Sequence, residues 1–208
     1  NKLISIVTPN YNEAEKVEKV YYEVKRVFET LRDYDYEHIF IDNASKDRTV
    51  TILKKIAEND KNVKIIVNTR NFGHIRSPFY GLLQARGDAV ILLVADLQDP
   101  PSMIADFIKK WEEGYKIVVG VKKQSMDNPL LYAIRNQYYH FIERISEVEQ
   151  IKKFSAFGLY DKKIIEILRT IDDPYPYLRG LISEIGYDIA RIEYIQPARK
   201  RGITKNNF

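Results

Sequence analysis

The segment that most constrains the fold is AVILLVADLQDPP at residues 89–101, where an apolar run stops abruptly at polar residues and two prolines. A short apolar run bounded in this way is typical of a buried strand in a parallel sheet. Parallel α/β sheets bind ligands beyond the carboxyl ends of their strands. Asp96 and Asp99 therefore mark either a site of chemistry or the start of a solvated loop, and this segment alone favours neither.

The first half of the chain alternates predicted strands and helices, which are joined by short loops. Apolar runs and helical spacing predict strands at 3–7, 38–41, 63–67, 89–95 and 116–120, and helices at 13–31, 49–58, 77–85 and 103–113. Asn12 is the predicted N-cap of the first helix. Right-handed crossovers between such units give a mostly parallel α/β sheet with helices on both faces, of the Rossmann-like kind.

The second half is less regular. A helical pattern rich in aromatic residues runs over 130–151, and it is open to two interpretations, burial in the core or contact with a membrane or partner subunit. Residues 152–160 are predicted to return a strand to the sheet edge. Helices are predicted at 161–169 and 177–185, and a last strand at 191–195.

The length of 208 residues favours one domain, or one domain with an appendage. The 45% of apolar residues is typical of a soluble globular protein, and the net charge is +4. The absence of cysteine excludes disulfides and thiolate metal sites. No apolar run approaches the roughly 18 residues that span a bilayer. Because the chain lacks an initiator methionine, we leave open that membrane helices follow it in a longer protein. We expect no nucleic-acid partner, and a homo-oligomer is possible.

Each of the first four predicted strands leads into a polar loop: TPNYNE, DNAS, RNFG and ADLQD. Because the carboxyl ends of parallel strands share one edge, these loops are expected to converge on one crevice. Asp96 and Gln98 offer the oxygen ligands that Mg²⁺ or Mn²⁺ prefers. Arg70 and Arg179 carry charges that suit a leaving phosphate. The crevice is therefore predicted to hold a nucleoside diphosphate bridged by a divalent metal.

Other sites are not indicated. The chain has neither the P-loop nor the dinucleotide glycine pattern. His38, His74 and His140 are isolated from one another, and each is interpreted as a structural or surface residue.

The segments SIVTPNYNE, IFIDNASKDRT, NTRNFG and ARGDAVILLVADLQDPP closely resemble the family 2 glycosyltransferases of GT-A fold. The later segments GVKK, YLRGLISEIGY and ARKRGITK further resemble the polyprenyl-phosphate glycosyltransferases in order and spacing. The resemblance implies a single domain over 1–208, with a nucleotide-sugar-binding half at 1–121 and an acceptor-side half at 122–208.

The resemblance also implies an activity. The enzyme would transfer a sugar with inversion from a nucleotide sugar, UDP-sugar favoured over GDP-sugar, to a polyprenyl phosphate. The implied location is the cytoplasmic face of the cell membrane, with this chain itself soluble and in contact with the membrane surface. The alternatives are a polysaccharide or other cell-surface glycan acceptor, and a non-catalytic nucleotide-sugar-binding domain.

Site residues follow from the resemblance, position by position. The implied nucleotide contacts are Pro9, Tyr11, Glu13, Asp42, Asn43, Arg70, Asn71, Gly73 and Asp96. The implied metal ligands for Mg²⁺ or Mn²⁺ are Asp96 and Gln98. The implied catalytic residues are Asp96, Asp99 and Arg179, where Asp99 either orients the sugar or caps the following helix. Donor or acceptor phosphates would be held by Arg179, Arg199 and Lys205.

Three positions depart from the family pattern. Val94 replaces the first carboxylate of the usual Asp-x-Asp motif, and Asn43 stands where a second Asp is usual. Ala156 stands where the family often has the Asp of a Gly-Asp-Phe-Arg segment. A lipid phosphate is already a nucleophilic oxyanion and needs little help from a base, whereas a hydroxyl acceptor needs more. The lipid-phosphate acceptor is therefore preferred.

Overall fold

The computed structural model describes residues 1–123 and 154–195 of the chain. Its strands are β1 (Lys2–Asn10), β2 (Tyr34–Asp42), β3 (Val63–Val67), β4 (Ala89–Leu92), β5 (Ile117–Lys122), β6 (Phe154–Asp161) and β7 (Ile189–Tyr194). Its helices are α1 (Val17–Thr30), α2 (Thr49–Asn59), α3 (Gly73–Gln84), α4 (Met103–Glu112), α5 (Lys162–Arg169) and α6 (Leu178–Glu184). The aromatic helix predicted at 130–151 lies outside the described residues.

The described strands form one sheet in the order β3-β2-β1-β4-β6-β5-β7. β1 pairs in parallel with β2 and β4, β2 with β3, and β5 with β7, which confirms the mostly parallel sheet. β6 runs antiparallel between β4 and β5. The prediction that this strand returns to the sheet edge was wrong, because its apolar pattern shows that it is a strand but not which neighbours it pairs with.

The central position of β6 requires a close backbone approach. A Cβ atom at Gly158 would lie 2.4 Å from the carbonyl oxygen of Val118 on β5. Only glycine fits there without moving the neighbouring strand.

Helices cover both faces of the sheet, as the sequence predicts. On one face, Ile6 packs in a cluster with Phe107 of α4 and side chains of α1, and α2 adds a smaller cluster around Phe40. On the other face, Ile41 packs in a cluster with Leu82 of α3 and side chains of α5 and α6. The alternation of side chains along β2 thus sends apolar residues into two separate cores.

The ends of several elements near the cavity differ from the predicted ones. β1 continues to Asn10 rather than ending at residue 7, so Pro9 and Asn10 belong to the strand and not to the predicted loop. α1 begins at Val17 rather than at residue 13, and the prediction of Asn12 as its N-cap was wrong. Asn12 instead has a positive φ of 53°, and its side-chain oxygen accepts a hydrogen bond from the Lys46 N–H at 2.8 Å. α3 begins four residues earlier than predicted, at Gly73, and β4 ends at Leu92 rather than at residue 95. The hydrogen bonds of Asn12 join two loops that are more than thirty residues apart, and a local pattern does not show them.

Candidate active site

A cavity of about 450 Å³ lies at the carboxyl edge of the sheet. It is lined by the end of β1, by the loops that follow β1, β2, β3 and β4, and by the start of α3. This volume is within the range of roughly 300–1,000 Å³ that is usual for small-molecule sites. Its lining residues are Pro9, Asn10, Tyr11, Glu13, Asn43, Asn71, Gly73, His74, Ser77, Pro78, Val94, Ala95 and Asp96. The structure therefore brings together seven of the predicted nucleotide contacts: Pro9, Tyr11, Glu13, Asn43, Asn71, Gly73 and Asp96.

The loop after β1 is fastened to the loop after β2. The Asn12 N–H donates to Ser45 Oγ at 2.8 Å, and the Glu13 N–H donates to Thr49 Oγ1 at 3.0 Å. The Glu13 carboxylate forms an ion pair with Lys16 at 2.8 Å. These contacts fix one wall of the cavity and engage the charge of Glu13.

Asp42 lies beneath the cavity and not on its wall, since its exposed fraction is 0%. Its carboxylate accepts hydrogen bonds from Asn10 Nδ2 at 2.6 Å, from the Ser45 N–H at 2.8 Å and from Ser45 Oγ at 2.5 Å. Asp42 thus shapes the turn after β2. Both carboxylate oxygens accept hydrogen bonds from other residues of the chain. The contact of Asp42 with a base stays a prediction.

Asn43 connects the loop after β2 to the loop after β3. Its Nδ2 donates to Asn71 Oδ1 at 2.8 Å and to the Gly73 carbonyl oxygen at 3.2 Å. Its Oδ1 accepts from the Phe72 N–H at 2.8 Å and from Asn68 Nδ2 at 3.2 Å. An aspartate side chain has no N–H to donate. The carboxamide of Asn43 can therefore make the two bonds to Asn71 and Gly73, and a carboxylate cannot.

The loop after β3 places Gly73 at the cavity with a φ of 85°, a conformation that favours glycine. Arg70, three residues earlier, is not among the lining residues. Its guanidinium carbon lies 4.1 Å from the centre of the Phe72 ring, and its Nη1 donates to the Asn71 carbonyl oxygen at 3.3 Å. A direct contact between Arg70 and a nucleotide stays a prediction.

The turn after β4 presents Asp96 to the cavity. Asp96 is half-buried, and its Oδ1 accepts a hydrogen bond from the Gln98 N–H at 3.1 Å. Leu97 between them has a φ of 59°. Val94 lines the same wall, so this wall carries an apolar side chain two residues before its carboxylate.

A divalent metal has few ligands from the described part of the chain. Residues 1–123 and 154–195 contain no group of three His, Asp or Glu side chains that would hold a metal ion. Asp96 supplies one carboxylate at the cavity. Gln98 is not among the lining residues, and its backbone N–H contacts Asp96, so its role as a metal ligand stays a prediction. Mg²⁺ is often held by one or two carboxylates together with substrate phosphates and water. The donor set therefore fits such an ion only when a diphosphate completes it.

Asp99 is buried, with an exposed fraction of 2%, and it does not line the cavity. Burial raises the pKa of its carboxyl group, although a hydrogen bond from the Tyr194 hydroxyl opposes this shift. It does not cap α4, since the N-cap position is Ser102 and no side-chain cap is formed. Asp99 instead ties the turn after β4 to the end of β7.

The predicted phosphate-binding residues lie away from the cavity wall or outside the described residues. Arg179 is exposed on α6, with its guanidinium carbon 5.0 Å from the centre of the Tyr177 ring. Arg199 and Lys205 lie outside the described residues. Their roles stay predictions.

Backbone strain collects at the same edge of the sheet. In the described ranges, the non-glycine residues with positive φ are Asn12, Ala44, Leu97 and Ala156. The first three follow β1, β2 and β4, and Ala156 lies beyond the Gly158–Leu92 pair at the end of β6 that faces this edge. Such conformations cost about 1–3 kcal/mol each and cluster at functional sites, which independently favours this edge as the site.

Most of the chain matches the model of one protein family. The model of the family described as glycosyl transferase family 2 matches residues 5–186. The chain belongs to glycosyl transferase family 2. The predicted family, and with it the glycosyltransferase class, is confirmed.

Curated relatives of this family 2 domain cover nearly the whole chain. It is 33% identical over 205 residues to a bactoprenol glucosyl transferase of Shigella phage SfV, an alignment that covers 98% of this chain and 66% of the relative. It is 33% identical over 202 residues to the uncharacterized glycosyltransferase YkcC of Bacillus subtilis, covering 97% of this chain and 62% of the relative. The chain therefore spans about two thirds of the length of these relatives. No helix in the described ranges is long and apolar enough to cross a membrane.

Solved structures confirm the GT-A fold. The mannosyltransferase PcManGT from Pyrobaculum calidifontis, in complex with GDP-Man and Mn²⁺, superposes with a TM-score of 0.61 at 18% identity, covering 95% of this chain and 58% of that one. Glucosyl-3-phosphoglycerate synthase from Mycobacterium tuberculosis, with Mn²⁺, UDP and phosphoglyceric acid, gives 0.60 at 20% identity, covering 97% and 72%.

Six of the described wall residues of the family 2 domain are not among the predicted site residues: Asn10, His74, Ser77, Pro78, Val94 and Ala95. Asn10 was detectable, because it is the last residue of β1 within TPNYNE. Ser77 was not, because it reaches the wall only through the early start of α3 at Gly73.

Proposed function

We propose that this domain transfers a sugar with inversion from a nucleotide sugar, UDP-sugar favoured over GDP-sugar, to a polyprenyl phosphate. The observation that carries the proposal is the cavity at the carboxyl edge, which is lined by four polar loops together with the end of β1 and the start of α3, and which includes Asp96. The bactoprenol glucosyl transferases among the relatives support a polyprenyl-phosphate acceptor. We place the reaction at the cytoplasmic face of the cell membrane, where such an acceptor presents its phosphate.

The donor nucleotide would lie against Pro9, Tyr11, Asn43, Asn71 and Gly73, which the loop hydrogen bonds hold in place before binding. Preorganisation of this kind reduces the entropy lost on binding. Glu13 lines the same wall, but its charge is engaged by Lys16, so it is assigned to shaping the pocket.

Asp96 and Gln98 would hold the divalent metal, Mg²⁺ or Mn²⁺, together with the donor diphosphate. When bound, the metal would supply positive charge that stabilises the nucleoside diphosphate as a leaving group. Arg179, Arg199 and Lys205 are proposed to neutralise donor or acceptor phosphates. Asp99 would act by keeping the turn that carries Asp96 against Tyr194.

In the transfer itself, an oxygen of the acceptor phosphate forms a bond to the anomeric carbon. The bond from that carbon to the diphosphate breaks, and the nucleoside diphosphate leaves with the electron pair. The acceptor oxygen is already anionic, so no residue has to remove a proton from it. The absence of a carboxylate at Ala156 is compatible with this acceptor and less so with a hydroxyl acceptor.

The proposal is tested by transfer from radiolabelled UDP-sugars and GDP-sugars to polyprenyl phosphate and, in parallel reactions, to a cell-surface glycan, each with and without Mn²⁺. We expect a lipid-linked sugar phosphate from a UDP-sugar, and no product without metal. Transfer only to a glycan would favour the second acceptor class. UDP or GDP binding without turnover of any donor would identify a non-catalytic binding domain, which Val94 on the wall favours as the second candidate.

Val94→Asp tests the metal site directly. We expect the variant to bind Mn²⁺ without nucleotide at least about tenfold more tightly than the wild type, because a second carboxylate would lie near Asp96. Isothermal titration of Mn²⁺, with and without UDP, measures the change. Val67→Asp, on an exposed valine at the end of β3, is the matched control. An unchanged Mn²⁺ affinity in Val94→Asp would show that the ion does not lie at this wall.

A further inference from the structure

Beside the cavity, arginine and aromatic side chains alternate on the surface of the α3 face. The group consists of Arg70, Phe72, Arg76 and Tyr175, and we call it the arginine–aromatic patch. The guanidinium carbon of Arg76 lies 5.7 Å from the centre of the Phe72 ring and 5.2 Å from that of Tyr175. That of Arg70 lies 4.1 Å from the Phe72 ring. All these separations fall within the roughly 6 Å at which a cation and a ring attract each other.

The two arginines of the patch have no ion pair within residues 1–123 and 154–195. Their charges are held by rings rather than neutralised by carboxylates. A guanidinium above a ring keeps N–H groups at its edge for other partners, and these match the geometry of a phosphate. Arg70 uses one such group for the Asn71 carbonyl oxygen. The patch is thus built to meet an anion from outside the chain.

The patch also exposes aromatic surface. Tyr175 has an exposed fraction of 71%, and the neighbouring Ile75 and Tyr177 are exposed as well. The Tyr175 N–H donates to Asp173 Oδ1 at 2.8 Å, so the turn that presents the ring is held in place. Tyrosine with arginine is the combination found where proteins meet the headgroup region of a membrane. Asp172 and Asp173 lower the net charge, so a reversible, moderate affinity is expected.

The patch is adjacent in sequence to residues of the cavity wall. Asn71, Gly73 and His74 line the cavity, while Phe72 and Arg76, their neighbours in the chain, belong to the patch. The patch and this part of the cavity wall are therefore formed by the same segment of the chain. Under the proposed function the acceptor phosphate comes from the bilayer, so docking through this segment would bring the bilayer close to the cavity wall.

We propose that the arginine–aromatic patch docks the domain on the surface of a membrane that contains anionic phospholipids. The biological role of this docking rests on the proposed function, whereas the binding experiment does not depend on it. The arginines would contact lipid phosphates, and the Tyr175 ring would enter the headgroup region. Because α1 covers the opposite face of the sheet, its exposed residues provide internal controls.

The experiment is co-sedimentation of the chain with vesicles of phosphatidylcholine, prepared with and without phosphatidylglycerol. We expect binding to the anionic vesicles only, weakened by high salt. Arg76→Gln is expected to lower the partition coefficient about fivefold, since one arginine near an anionic surface contributes about that factor. Tyr175→Ser is expected to lower it as well.

Arg26→Gln and Tyr22→Ser make the same chemical changes at exposed positions of α1. Both controls should bind as the wild type does, and thermal unfolding should show that all four variants are folded. Equal losses in the patch variants and the controls would overturn the proposal, as would unchanged binding in Arg76→Gln. A change of mass in sedimentation velocity for Tyr175→Ser would reveal a contact between two copies of the chain instead. The vesicles contain neither donor nor polyprenyl phosphate, so failure here is distinct from failure of the proposed transfer.

Discussion

Asp96→Asn is expected to lower kcat/KM for sugar transfer by about 10²–10³-fold, the range found when one stabilising group is removed from a transition state. Asp96 and Glu13 are the acids on the described cavity wall, and Glu13 is engaged by Lys16. Asparagine keeps the size of the side chain and an oxygen that accepts the hydrogen bond from the Gln98 N–H. The variant therefore removes the charge while keeping the turn, so the loss should reflect charge alone.

The measurement combines turnover with nucleotide binding. In the absence of metal, UDP should bind to Asp96→Asn as it does to the wild type, whereas the gain in UDP affinity on adding Mn²⁺ should be lost. Asp106→Asn is the matched control, since Asp106 is an exposed acid on α4 outside the cavity. If Asp96→Asn kept full metal-dependent turnover, the assignment of Asp96 to the metal and diphosphate would fail.

The location of the site was predictable because it depends on local patterns and one rule of topology. The apolar runs that become β1, β2 and β4 each stop at a polar loop, and parallel strands carry such loops to one edge. Asp96 and Asn43 lie on the cavity wall for this reason. Nothing beyond the order of strands and helices was needed.

The exact role of each polar residue was not predictable in the same way. Asp42 and Asn43 are adjacent in the sequence, yet Asp42 is buried beneath the loop and Asn43 reaches the wall. The difference arises from the positive φ of Ala44 and from partners on other loops, such as Asn71. Contacts between residues far apart in the chain decide which side chain turns outward, and a single sequence does not show them.

The place of β6 in the sheet was missed for a related reason. Its pairing with β4 joins residues about seventy positions apart, such as Gly158 and Leu92. An apolar pattern gives the face of a strand but not its neighbours. The close backbone approach at Gly158 is one feature that allows β6 to lie between β4 and β5. From the sequence alone, a glycine in a strand has several explanations, of which close approach is one.

The free energy of unfolding is expected to fall by about 3–5 kcal/mol as the pH is lowered from about 6.5 to about 3, because of His38 alone. His38 is fully buried on β2, stacked on Phe40 with ring centres 4.0 Å apart, and its Nε2 lies 2.9 Å from Thr8 Oγ1. Burial lowers the pKa of its imidazole to about 3. Its Nδ1 has no hydrogen-bond partner in the described part of the protein.

The direction follows from proton binding. In the unfolded chain this histidine takes up a proton below about pH 6.5, while in the folded protein it stays neutral down to about 3. Between these values the unfolded state holds more protons, so each unit of pH removed costs about 1.4 kcal/mol of stability at most. Urea unfolding at a series of pH values measures this slope.

His38→Gln keeps a polar group near Thr8 but does not titrate, so the part of the slope that lies above the carboxylate range should disappear. Thr8→Val is the matched control. It removes the hydrogen bond to Nε2 but keeps the buried imidazole, so it should lower stability at all pH values and retain the slope. A wild-type slope in His38→Gln would mean that other groups cause the acid sensitivity. It would also mean that the buried imidazole is protonated in the folded protein, which the apolar stacking on Phe40 opposes.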